Sequence, residues 1–554
     1  MRQRLAVCIA LLFACSLVAV PVTGGVPAGD ATDDTSAGVA NVQVDDDVIH
    51  ECAAEPPEDY AAPEEDVLGW SNGYWYDEPL EINTTDGLDE DELDALVART
   101  EARIEAIRCL PFENETDVDV ITREEFEEEA AAWSTPEDVQ RFENVVYRAM
   151  LLVDEEDPQE LQQENLGTGV GGYYDPATEQ IVVIAEDEAS LEFDETLLAH
   201  ELGHALQDQH FDLSRFDEPT IDGSLAEEGL IEGDVVYVEE RYERACDGGV
   251  WDGTCIEVSE PEPAPGPDDL ANIGLYLLAF QPYSDGPAFV DDVYEYEPGE
   301  RAAGDWESVD ELYDDPPRTT AEIISPDRYP NYESTNVTVP DNSTDEWQQL
   351  TVEDRPDHET VGKAGVSVMF SYPTLAPDID GSVVDRAEIQ DDETPFSTFE
   401  YGHEYATGWE GDRLHAYENE AGETGYVWTT EWESEADART FRVGYDRLLD
   451  DVWGMSRVDG QSGTYESDDA FAGAYYVDHE GDRVSIVHAP TVEQLAGLEP
   501  EARSTTEWEL PQSTPNAESD DADAIPGFGI GVAAVGLIVA LLLARRRATG
   551  AESQ

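Results

Sequence analysis

Lysine is almost absent. Lys363 is the only one in 554 residues, and lysine plus arginine number 27 against 130 aspartates and glutamates, a formal net charge of −103. Tracking a nucleic-acid backbone needs a basic surface, so nucleic-acid partners are excluded. Apolar residues are not scarce: the chain is 40% hydrophobic, with 11 Trp and 24 Tyr. A disordered acidic protein lacks that content. A folded protein of this charge strains against its own repulsion in ordinary buffer. In about 1 M salt the Debye length falls to roughly 3 Å and the repulsion is largely screened. The acidity therefore reads as a whole-surface adaptation to very high salt and says little about substrate.

Cysteine is also scarce, at 6 residues. Cys8 and Cys15 lie in the N-terminal apolar segment; Cys52, Cys109, Cys246 and Cys255 lie outside it. No C-x-x-C spacing supports a cysteine-rich metal site. Four cysteines allow three pairings. Cys246 and Cys255 flank a Gly/Asp-rich stretch that includes Gly248, Gly249 and Gly253, which favours joining them and leaves Cys52 for Cys109. Disulfides suit an exported, oxidising setting.

The two ends carry the targeting signals. Arg2 and Arg4, then an apolar run from Leu5 to Val20, make residues 1–24 a signal peptide. The arginines are not adjacent, which does not fit a twin-arginine signal. Cys15 follows Leu12-Phe13-Ala14 like a lipobox cysteine, but apolar residues continue past it. At the other end, residues 511–525 form an acidic linker, and 526–547 hold an apolar segment closed by Arg545-Arg546-Arg547. Taken alone, that segment is a transmembrane helix with its basic end inside. Asn83, Asn114, Asn336 and Asn342 head N-x-[ST] sequons, as in an exported glycoprotein.

The most informative residues are His200-Glu201-Leu202-Gly203-His204. Positions four apart on a helix lie one above the other, so both imidazoles can bind one ion from one face. Glu201 lies farther round the same cylinder, within reach of water held at that ion. Leu198, Leu202, Ala205 and Leu206 form an apolar stripe opposite the histidines, so the helix can bury one face while the histidines look into a cleft. Asp194 suits the N-cap and Glu195 the positive end of the helix dipole. H-E-x-x-H is the zinc-and-base signature of metallopeptidases. A surface helix with two solvated histidines is the bland alternative.

A hydrolytic zinc usually takes three protein ligands and keeps one position open. The next helical stretch, Ser224 to Glu239, contains Leu230-Ile231-Glu232-Gly233 followed by Tyr237 and Glu239. This resembles the N-E-G…Y-x-E helix of gluzincin peptidases. The resemblance implies Glu232 as third ligand, with Glu228 as runner-up and Asp234 and Glu227 behind it. It departs from thermolysin-like enzymes in a longer gap from His204 and in Val236 standing where an aspartate partner for a histidine is expected. Asp208 and Asp234 are the candidates for that partner. The strand–turn–strand pattern from Gly171 to Ile184 resembles the edge strand that pairs with extended substrate in zincins. Residues His204 to Leu213, Pro282-Tyr283, Gly286, Phe289 and Pro316 to Glu322 resemble a group of secreted prokaryotic gluzincin-like proteins. The family chemistry implied is peptide hydrolysis by water activated at zinc, with Glu201 as general base. Tyr283 is the candidate to stabilise the oxyanion, ahead of Tyr237 and His210. The acidity resembles haloarchaeal proteins. The order Pro526-Gly527-Phe528, apolar helix, arginine cluster resembles the archaeal PGF-type sorting signal, in which an archaeosortase replaces the helix by a lipid.

The expected fold class is α+β. Residues 25–89 form an acidic N-terminal region, and 90–330 a zincin-like metallopeptidase domain with a small mixed sheet, the His-bearing helix and the Glu-bearing helix. Residues 346–510 form a second α+β domain, with strands over Arg413–Tyr417, Tyr426–Trp432, Ala474–Tyr476 and Val484–His488. Helices start at Ser434 and Thr491, an order that suggests internal duplication. Two functions compete. One is a cell-surface zinc metallopeptidase acting on a peptide or protein substrate; the other is a non-catalytic envelope binding protein retaining a zincin scaffold. A structural zinc is a third reading, but no cysteine lies beside the histidines.

Overall fold

A computed structural model of the chain describes residues 52–82, 88–130, 135–166, 171–185, 195–256, 270–295, 306–353, 355–389, 396 and 399–503, with the short stretches 17–18 and 531–532. Apart from those two short stretches, the signal peptide and the C-terminal apolar segment lie outside them, as do the linker, Asn83 and Asp194. Among the described residues no helix is long and apolar enough to cross a membrane.

Helix α1, Glu90–Arg108, begins at a capping box in which Asp89 and Glu92 exchange hydrogen bonds with each other's backbone. Its Leu96, Ile104 and Ile107 are buried, and so are Arg99, Glu101, Arg103, Glu105 and Arg108. Next come β1 (Asp117–Thr122), α2 (Glu137–Ala149), β2 (Gly172–Asp175) and β3 (Gln180–Ala185). The three strands make a mixed sheet in the order β1-β3-β2, with β1 parallel and β2 antiparallel to β3. The turn between β2 and β3 is closed by the Asp175 carboxylate, which accepts from Ala177 N at 2.9 Å.

Helices α3 (Glu195–Phe211) and α4 (Ile221–Gly248) follow, then α5 (Ile273–Glu295), α6 (Trp306–Asp314) and the short α7 (Thr320–Ile324). Helix α4 meets α5 glycine to glycine. A Cβ on Gly233 would come within 2.5 Å of the Gly286 backbone, and one on Gly286 within 2.4 Å of Gly229 O. Only bare backbone permits so close a crossing.

The remainder is a seven-stranded antiparallel sheet with helices. It contains β4 (Trp347–Gln349), α8 (Gly362–Leu375), β5 (Trp409–Asn419), β6 (Thr424–Trp432) and α9 (Glu435–Arg447). It continues through β7 (Ser456–Arg457), β8 (Thr464–Ser467), β9 (Gly473–Glu480), β10 (Arg483–Ala489) and α10 (Val492–Leu498). The strand order is β7-β8-β9-β10-β6-β5-β4. Hairpin–helix order occurs twice, as β5–β6–α9 and β9–β10–α10, and the two hairpins join where β6 pairs with β10. One hydrophobic cluster runs from Val139 and Phe142 through Leu275 and Phe370 to Trp428 and Ile486, so α2 and α5 share a core with the large sheet. Cys52 is joined to Cys109 and Cys246 to Cys255, the pairing favoured by their spacing.

Candidate metal centre

Helix α3 is fixed at its first residue. The Glu195 carboxylate receives Arg99 at 2.8 Å, Arg103 at 2.6 Å and the Tyr242 hydroxyl at 2.6 Å. It also accepts from Ile256 N at 2.8 Å. All four partners are donors, so a buried carboxylate is fully satisfied. Helix α4 is held at its start by the segment before α8. Ile221 N donates to Glu359 at 2.7 Å and Asp222 N to Thr360 O at 3.0 Å. The Asp222 carboxylate in turn accepts from Thr320 N at 2.9 Å and Thr320 Oγ1 at 2.6 Å. With both ends set, Gly203 of α3 packs against Val235 of α4; a Cβ there would lie 3.1 Å from two Val235 methyls.

This crossing brings His200, His204 and Glu232 together as one buried group of donor atoms within 4.8 Å of one another. The two Nε2 atoms are 3.1 Å apart, and Glu232 Oε2 is 3.5 Å from His200 Nε2 and 3.4 Å from His204 Nε2. Ligands 2.0–2.2 Å from a tetrahedral zinc are separated by about 3.4 Å. The triangle therefore matches one face of a zinc tetrahedron to within a few tenths of an ångström.

The hydrogen bonds on the far side of each ring point the same way. His200 Nδ1 lies 2.9 Å from Glu239 Oε2, an acceptor, so that nitrogen carries the proton and Nε2 presents its lone pair. Gln207 Nε2 donates to Ile231 O at 2.9 Å and to the Tyr313 hydroxyl at 2.8 Å. Its Oε1 must then face His204 Nδ1, 3.0 Å away, and accept from it. Tyr313 passes its proton to Asp234 at 2.8 Å, and Asp234 pairs with Arg108 at 2.9 Å. Both imidazoles are thus held in the tautomer that ligates through Nε2.

Among the described residues, neither oxygen of Glu232 or of Glu201 has a well-formed hydrogen bond, although His200, Glu201 and Glu232 are all 0% exposed. Buried carboxylates left this way call for a cation. Without one, a single proton serves the group. Burial lowers His200 to about 4. Burial also acts downward on His204, but the Glu232 carboxylate outweighs it and raises the ring to about 9. Glu232 itself is lowered, burial being outweighed by the two histidines. A divalent ion would displace that shared proton. Burial raises Glu201 to about 8, with His204 pulling it back and Glu232 pushing it up; the Tyr174 amide lends a weaker downward influence.

Strand β2 lies against this helix. Gly171 O accepts from Ile184 N, and Tyr173 pairs with Val182, so Gly172 and Tyr174 turn their amides and carbonyls to the free edge. A Cβ on Gly172 would stand 3.8 Å from Glu201 Cγ.

Other sequence candidates are engaged elsewhere. Asp208 accepts from the Tyr174 hydroxyl at 2.8 Å and from Leu213 N at 2.8 Å, not from a histidine. Asp234 reaches His204 only through Gln207. Glu227 accepts from Glu218 N at 3.0 Å. Tyr237 donates to Asp291 at 2.7 Å, and His210 bonds Pro111 O at 2.7 Å. Tyr283 is buried in α5 with its ring stacked 6.3 Å from Phe280. Glu228 is buried one turn before Glu232 but stands outside the three-donor group. Among the described residues the histidine face lines no open cleft: α3 is buried from Glu195 to Gln207. Sequence reading missed Glu239 and Gln207 as partners of the histidines. Their spacing held the signal, since Glu239 is seven residues after Glu232 and Gln207 three after His204, each on the same helix face.

Two families match parts of the chain. The Domain of unknown function (DUF8575) covers residues 348–499, and the PGF-CTERM motif covers 525–547. No curated protein and no solved structure matches it. The PGF-CTERM motif makes the chain an archaeal cell-surface protein, anchored to the membrane at its C-terminus and processed by an archaeosortase. The disulfides fit an exported chain.

Proposed function

We propose that the chain is a zinc-dependent peptidase tethered to the outer face of the archaeal membrane. The observation that carries this reading is the zinc-sized triangle of His200 Nε2, His204 Nε2 and Glu232 Oε2, beside Glu201, a buried acid without a well-formed hydrogen bond. The small mixed sheet followed by the His-bearing α3 and the Glu-bearing α4 supports a zincin-like arrangement. When bound, the ion lowers the pKa of a water and polarises the scissile carbonyl. Glu201 takes the water proton and delivers it to the leaving amine; its raised affinity for protons near neutrality suits both steps. The edge of β2 that carries no further strand among the described residues is where an extended substrate backbone would pair, at Gly172. Tyr283 stays the candidate for the oxyanion on the family resemblance; Tyr237 and His210 bond Asp291 and Pro111.

Complete burial of the ligands favours one competing reading, a structural ion. A closed structural site holds four protein ligands, whereas among the described residues three donors converge here. Glu201→Gln should abolish hydrolysis of casein or peptides in multimolar salt while zinc remains stoichiometric. His204→Ala should lose the metal. Full activity in the first variant, or full zinc content in the second, removes the peptidase reading.

A further inference from the structure

Lys363, the only lysine of the chain, takes no part in the metal chemistry. It leaves the first turn of α8 and is 6% exposed. Its Nζ lies 2.8 Å from the Oγ of Ser325, the residue that ends α7. Among the described residues the amine has no carboxylate partner. A buried ammonium without a counter-ion is costly, so such a lysine gives up its proton readily. The charged groups that act on it come from different elements: Arg328 just after α7, Asp285 on α5, Glu400 before β5 and Glu433 after β6. Burial lowers the amine to about 8, with Arg328 pushing the same way and the three carboxylates pulling back. His403 also adjoins it and is itself lowered by burial to about 4, so that ring is neutral.

A serine and a lysine within hydrogen-bond reach have the geometry of a nucleophile and its base. As an ammonium, Lys363 donates to Ser325; as an amine, it accepts the hydroxyl proton over the same distance. Ser325 is partly exposed, as are Asp285, Arg328 and Glu400, so the serine lies at the surface and the lysine beneath it. We propose that Ser325 and Lys363 form a second hydrolytic site, independent of the metal centre, in which Ser325 attacks a carboxylic ester and Lys363 is the general base. Ser325 Oγ bonds the acyl carbon while its proton passes to Lys363 Nζ. The ester C–O bond breaks, and the alcohol leaves with that proton. Water then attacks the acyl-serine, a proton returns through Lys363 to Ser325 Oγ, and a carboxylic acid is released. Ester and water are the only reactants consumed.

The test uses the full-length protein in multimolar KCl and two probes, a fluorophosphonate and p-nitrophenyl acetate. The expected result with the first is an adduct at Ser325, found by peptide mass spectrometry. With the second, release of p-nitrophenol is read in the presence of a chelator, so that the zinc site is silent. Both rates should climb with pH and level off above about 8, as Lys363 loses its proton. Ser325→Ala and Lys363→Met should each lower p-nitrophenol release by at least about a hundredfold. Lys363→Arg keeps a charge and a donor but cannot act as a base. It should lose activity as Lys363→Met does, whereas a merely structural lysine would tolerate it. Absence of an adduct at Ser325 overturns the proposal. So does p-nitrophenol release that is unchanged in Ser325→Ala or in Lys363→Arg, or acetyl found on Lys363 in place of turnover. The adduct is read on the wild-type chain, so a variant that fails to fold leaves the test standing. None of these readouts depends on the peptidase reading.

Discussion

At the scale of single residues, the site depends on second partners as much as on ligands. Glu239 and Gln207 decide which nitrogen of each imidazole faces the metal point. Glu239 also adds charge behind His200 and makes it a stronger ligand. Glu239→Gln should therefore keep the fold and weaken zinc binding by about 10–100-fold, read by competition with a chromogenic chelator. Unchanged affinity would show that Glu239 only fills space. The motif at residues 200–204 made the two histidines and Glu201 legible because helical geometry is local. Glu232 needed a resemblance, since nothing local ties it to His204 across a 28-residue interval.

At the scale of elements, what matters is how closely α4 approaches its neighbours. Gly229 and Gly233 on α4 and Gly286 on α5 let two backbones touch, and Gly203 on α3 leaves room for the Val235 side chain. Gly233→Ala would drive a methyl into the Gly286 carbonyl. It should destabilise the protein by about 1–3 kcal/mol, seen as a lower denaturation midpoint. Because Glu232 is the adjacent residue, zinc affinity should fall with it. An unaltered midpoint would mean that α5 shifts freely. The sequence reading of α4 began at Ser224, whereas the helix starts at Ile221, capped by Thr220 and held by Glu359. Thr220 is a local signal for that start, whereas Glu359, 138 residues away, leaves none in the nearby sequence.

At the scale of the whole molecule, cations and carboxylates are partitioned. Arg99, Arg103, Arg108 and Arg442 are buried, as is the single lysine, Lys363, which bonds Ser325 Oγ at 2.8 Å. The four arginines hold the interior carboxylates of Glu195, Asp234 and Asp446. Lowering salt toward about 0.1 M should unfold the protein as screening is lost, followed by far-ultraviolet circular dichroism. At fixed high salt, stability should also fall as pH rises from about 6.5 to 8. Burial raises Glu105 and Glu359 to about 8 and Glu101 and Asp222 to about 7. The folded state then holds protons that the unfolded state has already released, and that advantage disappears as pH climbs through these values. His403 and His488, lowered by burial to about 4 and about 3, act in the opposite sense, but below about 6.5, where the unfolded histidines take up protons. A melting temperature that rises over pH 6.5–8 would contradict this account.

By itself, the sequence determined what is local or compositional. It carried the His-Glu-His turn, the sorting tail, the cysteine pairing favoured by spacing, the two hairpin–helix units and the acidic charge balance, because each rests on periodicity, short spacing or charge count. Only the tertiary structure decided that the histidine face is enclosed, that Glu232 rather than Glu228 or Asp234 completes the triangle, and that Glu239 and Gln207 orient the rings. Those outcomes depend on where two helices cross, and the crossing is set by glycine contacts and buried ion pairs between residues far apart in the chain.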